Sequence, residues 1–157
     1  EPELDGAEHK SWQNYLATVL RMSTLLNREL TDAHQLSLAD VQLLDLLANS
    51  PGGSLQLAEL AEVLALRPSR LARHIRRLQE RGLLARTMDP QDRRRVVAVI
   101  TEAGTTLVEQ ALITYANAVR THFLGPLTYP QIAAVATTCR HISDGLKTSG
   151  PPGTVGP

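Results

Sequence analysis

Ten arginines and no lysine fall between Arg67 and Arg95, at positions 67, 70, 73, 76, 77, 81, 86, 93, 94 and 95. Only Glu80, Asp89 and Asp92 oppose them, so this stretch carries a balance of +7. Residues 1–66 hold ten acids against three bases, a balance of −7, and residues 96–157 hold three of each. The formal net charge of zero therefore conceals an acidic body with one basic segment. Segregation of charge, rather than its total, decides whether a surface attracts a polyanion. The choice of arginine narrows the chemistry further, because its planar fork grips a phosphate, or the O6 and N7 edge of guanine, through two parallel hydrogen bonds.

The spacing of these residues predicts how they are presented. Pro68 suits the first position of a helix, and Gly82 suits the residue just past its end. Between them Leu71, Ile75 and Leu78 form one stripe, and Arg70, Arg73, His74, Arg77 and Arg81 a second, displaced by a quarter-turn or more. A merely solvated face alternates signs to gain pairs one turn apart, whereas this one stacks like charges that repel until an anion neutralises them. Ser69 and Arg70 stand at the helix N-terminus, the end that approaches base edges when such a helix enters a major groove. Residues 83–88 and 95–100 read as strands around the turn-forming Asp89-Pro90-Gln91-Asp92. On the return edge, Arg93, Arg94 and Arg95 are placed to enter a narrow minor groove, with Asp92 expected to hold a neighbouring arginine by an ion pair.

The rest of the chain supplies the scaffold. An amphipathic helix is predicted over 8–33, with Trp12, Tyr15, Leu16, Val19, Leu26 and Leu30 on one stripe. A second helix starts at Ser37, capped with Asp40 three residues on, and breaks at the Asn49–Gly53 turn. Ser54–Gln56 is a short strand, and 57–64 a short helix. Thr101 caps a long helix reaching about His122, with Leu107, Ala111, Tyr115 and Val119 inward. Thr128 and Gln131 open a last one bearing Ile132, Val135, Cys139, Ile142 and Leu146. The fold class is mainly α with a small β-hairpin: a winged helix-turn-helix core over 37–100, its first limb at 57–64 and its recognition helix at 68–81. Helical dimerisation regions at 8–33 and 101–147 flank it, and 150–157 reads as a flexible tail. The apolar stripes of 8–33 and 132–146 exceed what such a core buries, which points to a homodimer.

Other chemistry is excluded or weak. No Gly-rich phosphate loop, nucleophile–base pair or paired carboxylates suggest an enzyme. The histidines at 9, 34, 74, 122 and 141 show no ligand spacing, so neither a metal nor a cofactor is expected. Cys139 cannot form an intrachain disulfide, reads as a packed thiol, and fits a reducing cytoplasm. No apolar run is long enough to span a membrane, and the acidic start does not resemble a signal peptide.

The strings Leu66–Leu84, LRPSRLARHIRRLQERGLL, and Asp89–Gly104, DPQDRRRVVAVITEAG, resemble the MarR family of bacterial winged helix-turn-helix regulators. The second string is the more specific: an acid followed by Arg93-Arg94, an apolar strand, then Thr101-x-x-Gly104. With the helical ends, the resemblance covers roughly residues 10–147. It implies a two-fold dimer made by the first and last helices, recognition helices in successive major grooves, and wings in the flanking minor grooves. A pseudo-palindromic operator follows from the two-fold, and repression is the expected mode, with activation the alternative. Arg70, Arg73, Arg77 and Arg94 match DNA-contacting positions. Two departures stand out: Arg67 replaces a frequent N-cap serine, and Arg76 replaces an acidic residue, removing an internal ion pair expected by analogy. The resemblance also implies a small organic effector between dimer helices and core, for which Trp12, Tyr15, His34 and Tyr115 are the candidates. A winged helix used for protein contacts, or a non-specific architectural DNA binder, would share this framework, and competition binding at two salt concentrations separates the three.

Overall fold

The computed structural model describes residues 3–148. It forms two compact units, Glu1–Ala118 and Val119–Pro157. The proposed tail at 150–157 lies outside the described residues.

The first unit is built in the order α1 (Gly6–His34), α2 (Leu38–Ala48), β1 (Ser54–Gln56), α3 (Leu57–Val63), α4 (Pro68–Glu80), β2 (Leu84–Met88), β3 (Val96–Ile100) and α5 (Glu102–Val119). Helix starts follow the capping chemistry of the sequence. The Asp5 carboxylate accepts from the amides of Ala7 and Glu8, and Ser37 and Asp40 cap each other reciprocally at the head of α2. Arg67, by contrast, gives α4 no side-chain cap, and Pro68 opens that helix unaided.

β1 pairs antiparallel with β3, which pairs antiparallel with β2, in the order β1-β3-β2. The wing is thus a hairpin sewn to a third strand, with Leu84 opposite Ile100, Arg86 opposite Ala98 and Met88 opposite Val96. The core beneath it gathers Leu30, Leu36, Leu43, Leu44, Leu47, Leu60, Leu71, Ile75, Leu78, Leu84, Ala98 and Val108, all essentially solvent-free. The leucine-isoleucine stripe of α4 is fully part of that core, which fixes which face the helix turns outward.

Two turns set the angle of α4. Leu66 N–H reaches the Ala61 carbonyl past Ala65, and Leu83 N–H reaches the Leu78 carbonyl past Gly82, so α3 and α4 end in the same hydrogen-bond pattern. Gly82 takes the required left-handed φ of 72° freely, whereas Ala65 holds φ 51° against its own Cβ. Past the wing, the Thr101 hydroxyl donates to the Gly82 carbonyl and accepts from Gly104 N–H, while Thr101 N–H donates to the Leu83 carbonyl. A Cβ on Gly104 would drive into that same Leu83 carbonyl. Thr101-x-x-Gly104 is therefore a lock between the end of α4, the root of β2 and the start of α5.

In the second unit a π-helical turn, Arg120–Leu124, precedes α6 (Tyr129–Thr148), whose start carries the reciprocal Thr128–Gln131 cap. Along its expected stripe Ile132 and Val135 are half-buried, but Cys139, Ile142 and Leu146 are exposed. The expectation of a packed Cys139 is corrected: in this chain its thiol is exposed, because α6 buries no residue of its own.

Candidate nucleic-acid interface

α4 displays its arginines in two classes. Arg70, Arg73 and Arg76 are exposed and have no side-chain partner among the described residues. Taking Leu71 as the inward reference, Arg73 and Arg76, with Ser69, cluster around the direction opposite the core. Arg76, an unexplained departure in the sequence, thus extends the exposed arginine face.

His74 and Arg77, expected on the DNA-facing stripe, are engaged inside the protein. Both reach Asp40, whose side chain is 1% exposed. Arg77 NH2 lies 2.6 Å from Oδ2 and 2.7 Å from Oδ1, and His74 Nδ1 lies 2.8 Å from Oδ1. His74 Nδ1 is then the proton-bearing nitrogen, so the 3.3 Å approach of Arg77 to it is a contact of two donors. Asp40 Oδ2 also accepts Ser37 N–H, completing a carboxylate with three kinds of donor. Burial pushes the Asp40 carboxyl up, but the Ser37 amide, Arg77 and His74 together outweigh it and hold the group below its ordinary value. The internal ion pair expected to be missing for want of an acid at position 76 is thereby present by another route, from α2. The sequence offered Asp40 only as a cap, and nothing local connects it to a residue 37 positions on.

Arg81 is likewise structural. Its NH1 donates to the Gln35 carbonyl at 2.6 Å and its NH2 to the His34 carbonyl at 3.3 Å, capping the C-terminus of α1. Arg86 Nε donates to Gln79 Oε1, bracing the wing against α4.

On the wing, Arg93 and Arg94 are exposed without side-chain partners among the described residues. Asp92 accepts the Arg94 amide at 3.1 Å and pairs with Arg95 Nε at 3.4 Å. Asp89 shapes the turn by accepting Gln91 N–H, and Gln56 of β1 ties to it from the side.

Within one chain the four candidate effector residues are not brought together. Trp12 and Tyr15 pair with ring centroids 6.1 Å apart on the bare N-terminal half of α1. Nineteen helical steps, about 28 Å of rise, separate Tyr15 from His34. His34 Nε2 instead meets Thr114 Oγ1 at 2.8 Å, and Tyr115 packs against the core from α5. Among the described residues no group of three or more His, Cys, Asp or Glu is placed to hold a metal, and no helix is long and apolar enough to cross a membrane.

A profile of the MarR family matches residues 34–95, the span from the end of α1 through α4 to the wing arginines. Over that span the chain is similar to the MarR family, whose members are transcriptional regulators and not enzymes. The curated relative YhbI of Bacillus subtilis (strain 168), an uncharacterised HTH-type transcriptional regulator, is 40% identical over 65 residues. That match covers 41% of this chain and 42% of the relative, so it spans under half of either. Among solved structures, Sco3205 of Streptomyces coelicolor, a MarR family transcriptional regulator in complex with DNA, is 28% identical with a TM-score of 0.90, over 95% of this chain and 94% of that one. BpsR of Bordetella bronchiseptica, whose DNA binding is regulated by 6-hydroxynicotinic acid, is 25% identical with a TM-score of 0.75, over 92% and 99%.

Proposed function

We propose that this chain is a sequence-specific DNA-binding transcriptional regulator of the MarR family that acts as a homodimer on a pseudo-palindromic operator. The observation that carries this reading is the face of Arg70, Arg73 and Arg76, exposed and unpaired on a helix whose opposite side is locked into the core. Three like charges one turn apart disfavour the free state, and a phosphate backbone removes the repulsion. Ser69, Arg70 and Arg73 are assigned to the major groove, with Arg76 beside them, and Arg93 and Arg94 to the flanking minor groove. Arg77 and His74 act there from fixed positions, and Arg95 through its pair with Asp92. Sco3205, similar in fold along its length, was solved with DNA.

The dimer rests on a separate observation. Trp12, Tyr15, Leu16, Val19 and Leu20 leave the N-terminal half of α1 with its apolar stripe open to water, and Ile142 and Leu146 do the same on α6. Stripes of this extent suit a partner copy, and two recognition helices about 34 Å apart then address one face of DNA. We assign Trp12 and Tyr15 to that dimer face. His34 and Tyr115 remain the candidates for an organic effector, by likeness to BpsR, and repression in the cytoplasm is the mode the family resemblance favours.

Selection of bound fragments from genomic DNA, followed by competition at two salt concentrations, tests the reading. A recovered inverted repeat held at least about 10³-fold more tightly than unrelated duplex is the expected result. Equal affinity for all duplexes would favour an architectural binder, and no affinity a protein-contact module.

A further inference from the structure

We propose that Asp40 is a specificity-determining positioning residue: a buried carboxylate on α2 that fixes the guanidinium of Arg77 so that it reads sequence rather than merely attracting phosphate. The proposal rests on the DNA-binding reading above.

Three observations carry it. First, Asp40 is buried while Arg77 is 49% exposed, so the pair runs from the core to the surface. Second, Asp40 engages only NH2 of the guanidinium, through both carboxylate oxygens. NH1 and Nε make no hydrogen bond among the described residues. One nitrogen of the fork is anchored while NH1 and Nε keep their hydrogens to donate, and a planar group held at one nitrogen is pre-oriented for contact with an acceptor. Third, the anchor is itself rigid. Oδ2 accepts the Ser37 amide at the head of α2, and Oδ1 takes His74, one turn of α4 before Arg77. The side-chain torsions that a free arginine loses on docking are already lost here.

The same pairing has an electrostatic consequence opposite to that of an ordinary supporting contact. The charge of Asp40 offsets that of Arg77, so in the native chain Arg77 adds little to the general attraction for phosphate. Replacing Asp40 by asparagine keeps the size and removes the charge. It frees Arg77 and adds one net positive charge to the DNA-facing side. A residue that merely supported folding would, when changed, weaken all DNA binding alike. A residue that positions Arg77 would, when changed, weaken the preferred sequence and strengthen the rest.

The test uses full-length chain and two duplexes: one recovered by selection with the native protein from a randomised pool, and one shuffled to the same base composition. Affinity for each is measured across a salt series for the native chain, Asp40→Asn and Arg77→Lys. The expected result for Asp40→Asn is a loss of about tenfold in preference for the selected duplex. Its affinity for the shuffled duplex rises, and the salt dependence there steepens by about one counterion. Arg77→Lys keeps the surface charge but offers Asp40 a single ammonium with no second edge, and it loses the same preference. This variant keeps the question open to measurement where Asp40→Asn folds poorly. A native chain that prefers its selected duplex, with variants that retain that preference or lose affinity for both duplexes equally, overturns the positioning role alone. A native chain that shows no preference overturns the DNA reading and the positioning role with it.

Discussion

On α4 an arginine is held by a carboxylate that water does not reach, whereas on the wing an arginine is held by one that it does. Asp40 is sealed beneath Arg77, while Asp92 is 44% exposed beside Arg95. The first anchor belongs to the core and has three donors converging on it. The second belongs to the seven-residue turn 89–95, and water competes for both partners. A buried pair resists rearrangement because breaking it leaves an unsatisfied charge, and an exposed pair re-forms or dissolves at little cost. The same residue type is thus rigid on α4 and adaptable on the wing, a difference that suits the proposed division between matching a base edge and entering a groove of variable width.

The sharpest way to break the contrast is to remove what the two regions share. Gly104→Ala should destabilise the chain by about 3 kcal/mol, because its methyl group meets the Leu83 backbone that joins α4 to the wing. A urea-unfolding midpoint measures this, and an unchanged midpoint would mean that the Thr101–Gly104 lock yields freely. Next, Asp40→Ala should cost about 2 kcal/mol by stranding Arg77, His74 and the Ser37 amide without their acceptor. Asp92→Ala, its counterpart on the wing, should cost under about 0.5 kcal/mol. Equal losses in the same unfolding assay would erase the distinction between the two anchors.

Acid should reveal the difference without a mutation at the wing. The Asp40 carboxyl is lowered in the folded chain, so its contribution is complete above the ordinary value of 3.8 and fades as the pH falls through the lowered one. The unfolded chain binds the proton first, hence stability falls with falling pH in that window. Native chain and Asp40→Asn should therefore converge in stability below about pH 4 and diverge above it, as followed by unfolding at a series of pH values. On DNA, Arg73→Ala should weaken operator affinity about tenfold while leaving dimer and melting temperature intact, as a binding titration beside light scattering would show. Arg94→Ala should chiefly reduce the salt slope by about one. Full operator affinity for the first, or an unchanged slope for the second, would remove that arginine from its assigned groove.

What could be read from the sequence was whatever is local. Ser37 with Asp40, Thr128 with Gln131, Pro68 and Gly82 each mark a helix end through neighbours within four residues, and each end is found there. The leucine stripe of α4 follows from periodicity in the same way. The partition of the arginines does not, because it depends on contacts made across the fold. Arg81 appears in sequence as one more charge on a stripe, yet its fork lies on the carbonyls of His34 and Gln35, far back in the chain. Arg77 shares that stripe, and only the approach of α2 shows that one nitrogen of its fork is spoken for. Within one chain the effector candidates lie apart for a related reason. Residue type suggested a pocket, but a continuous α1 keeps Trp12 and Tyr15 at one end and His34 at the other.

Arg81 has a mechanical meaning as well. Its grip on the end of α1, together with the hold of Asp40 further up the helix, couples α4 at two points to the corner between α1 and α2. Two points define an axis. A displacement of that corner would therefore carry α4 with it at both points, turning the helix rather than loosening it.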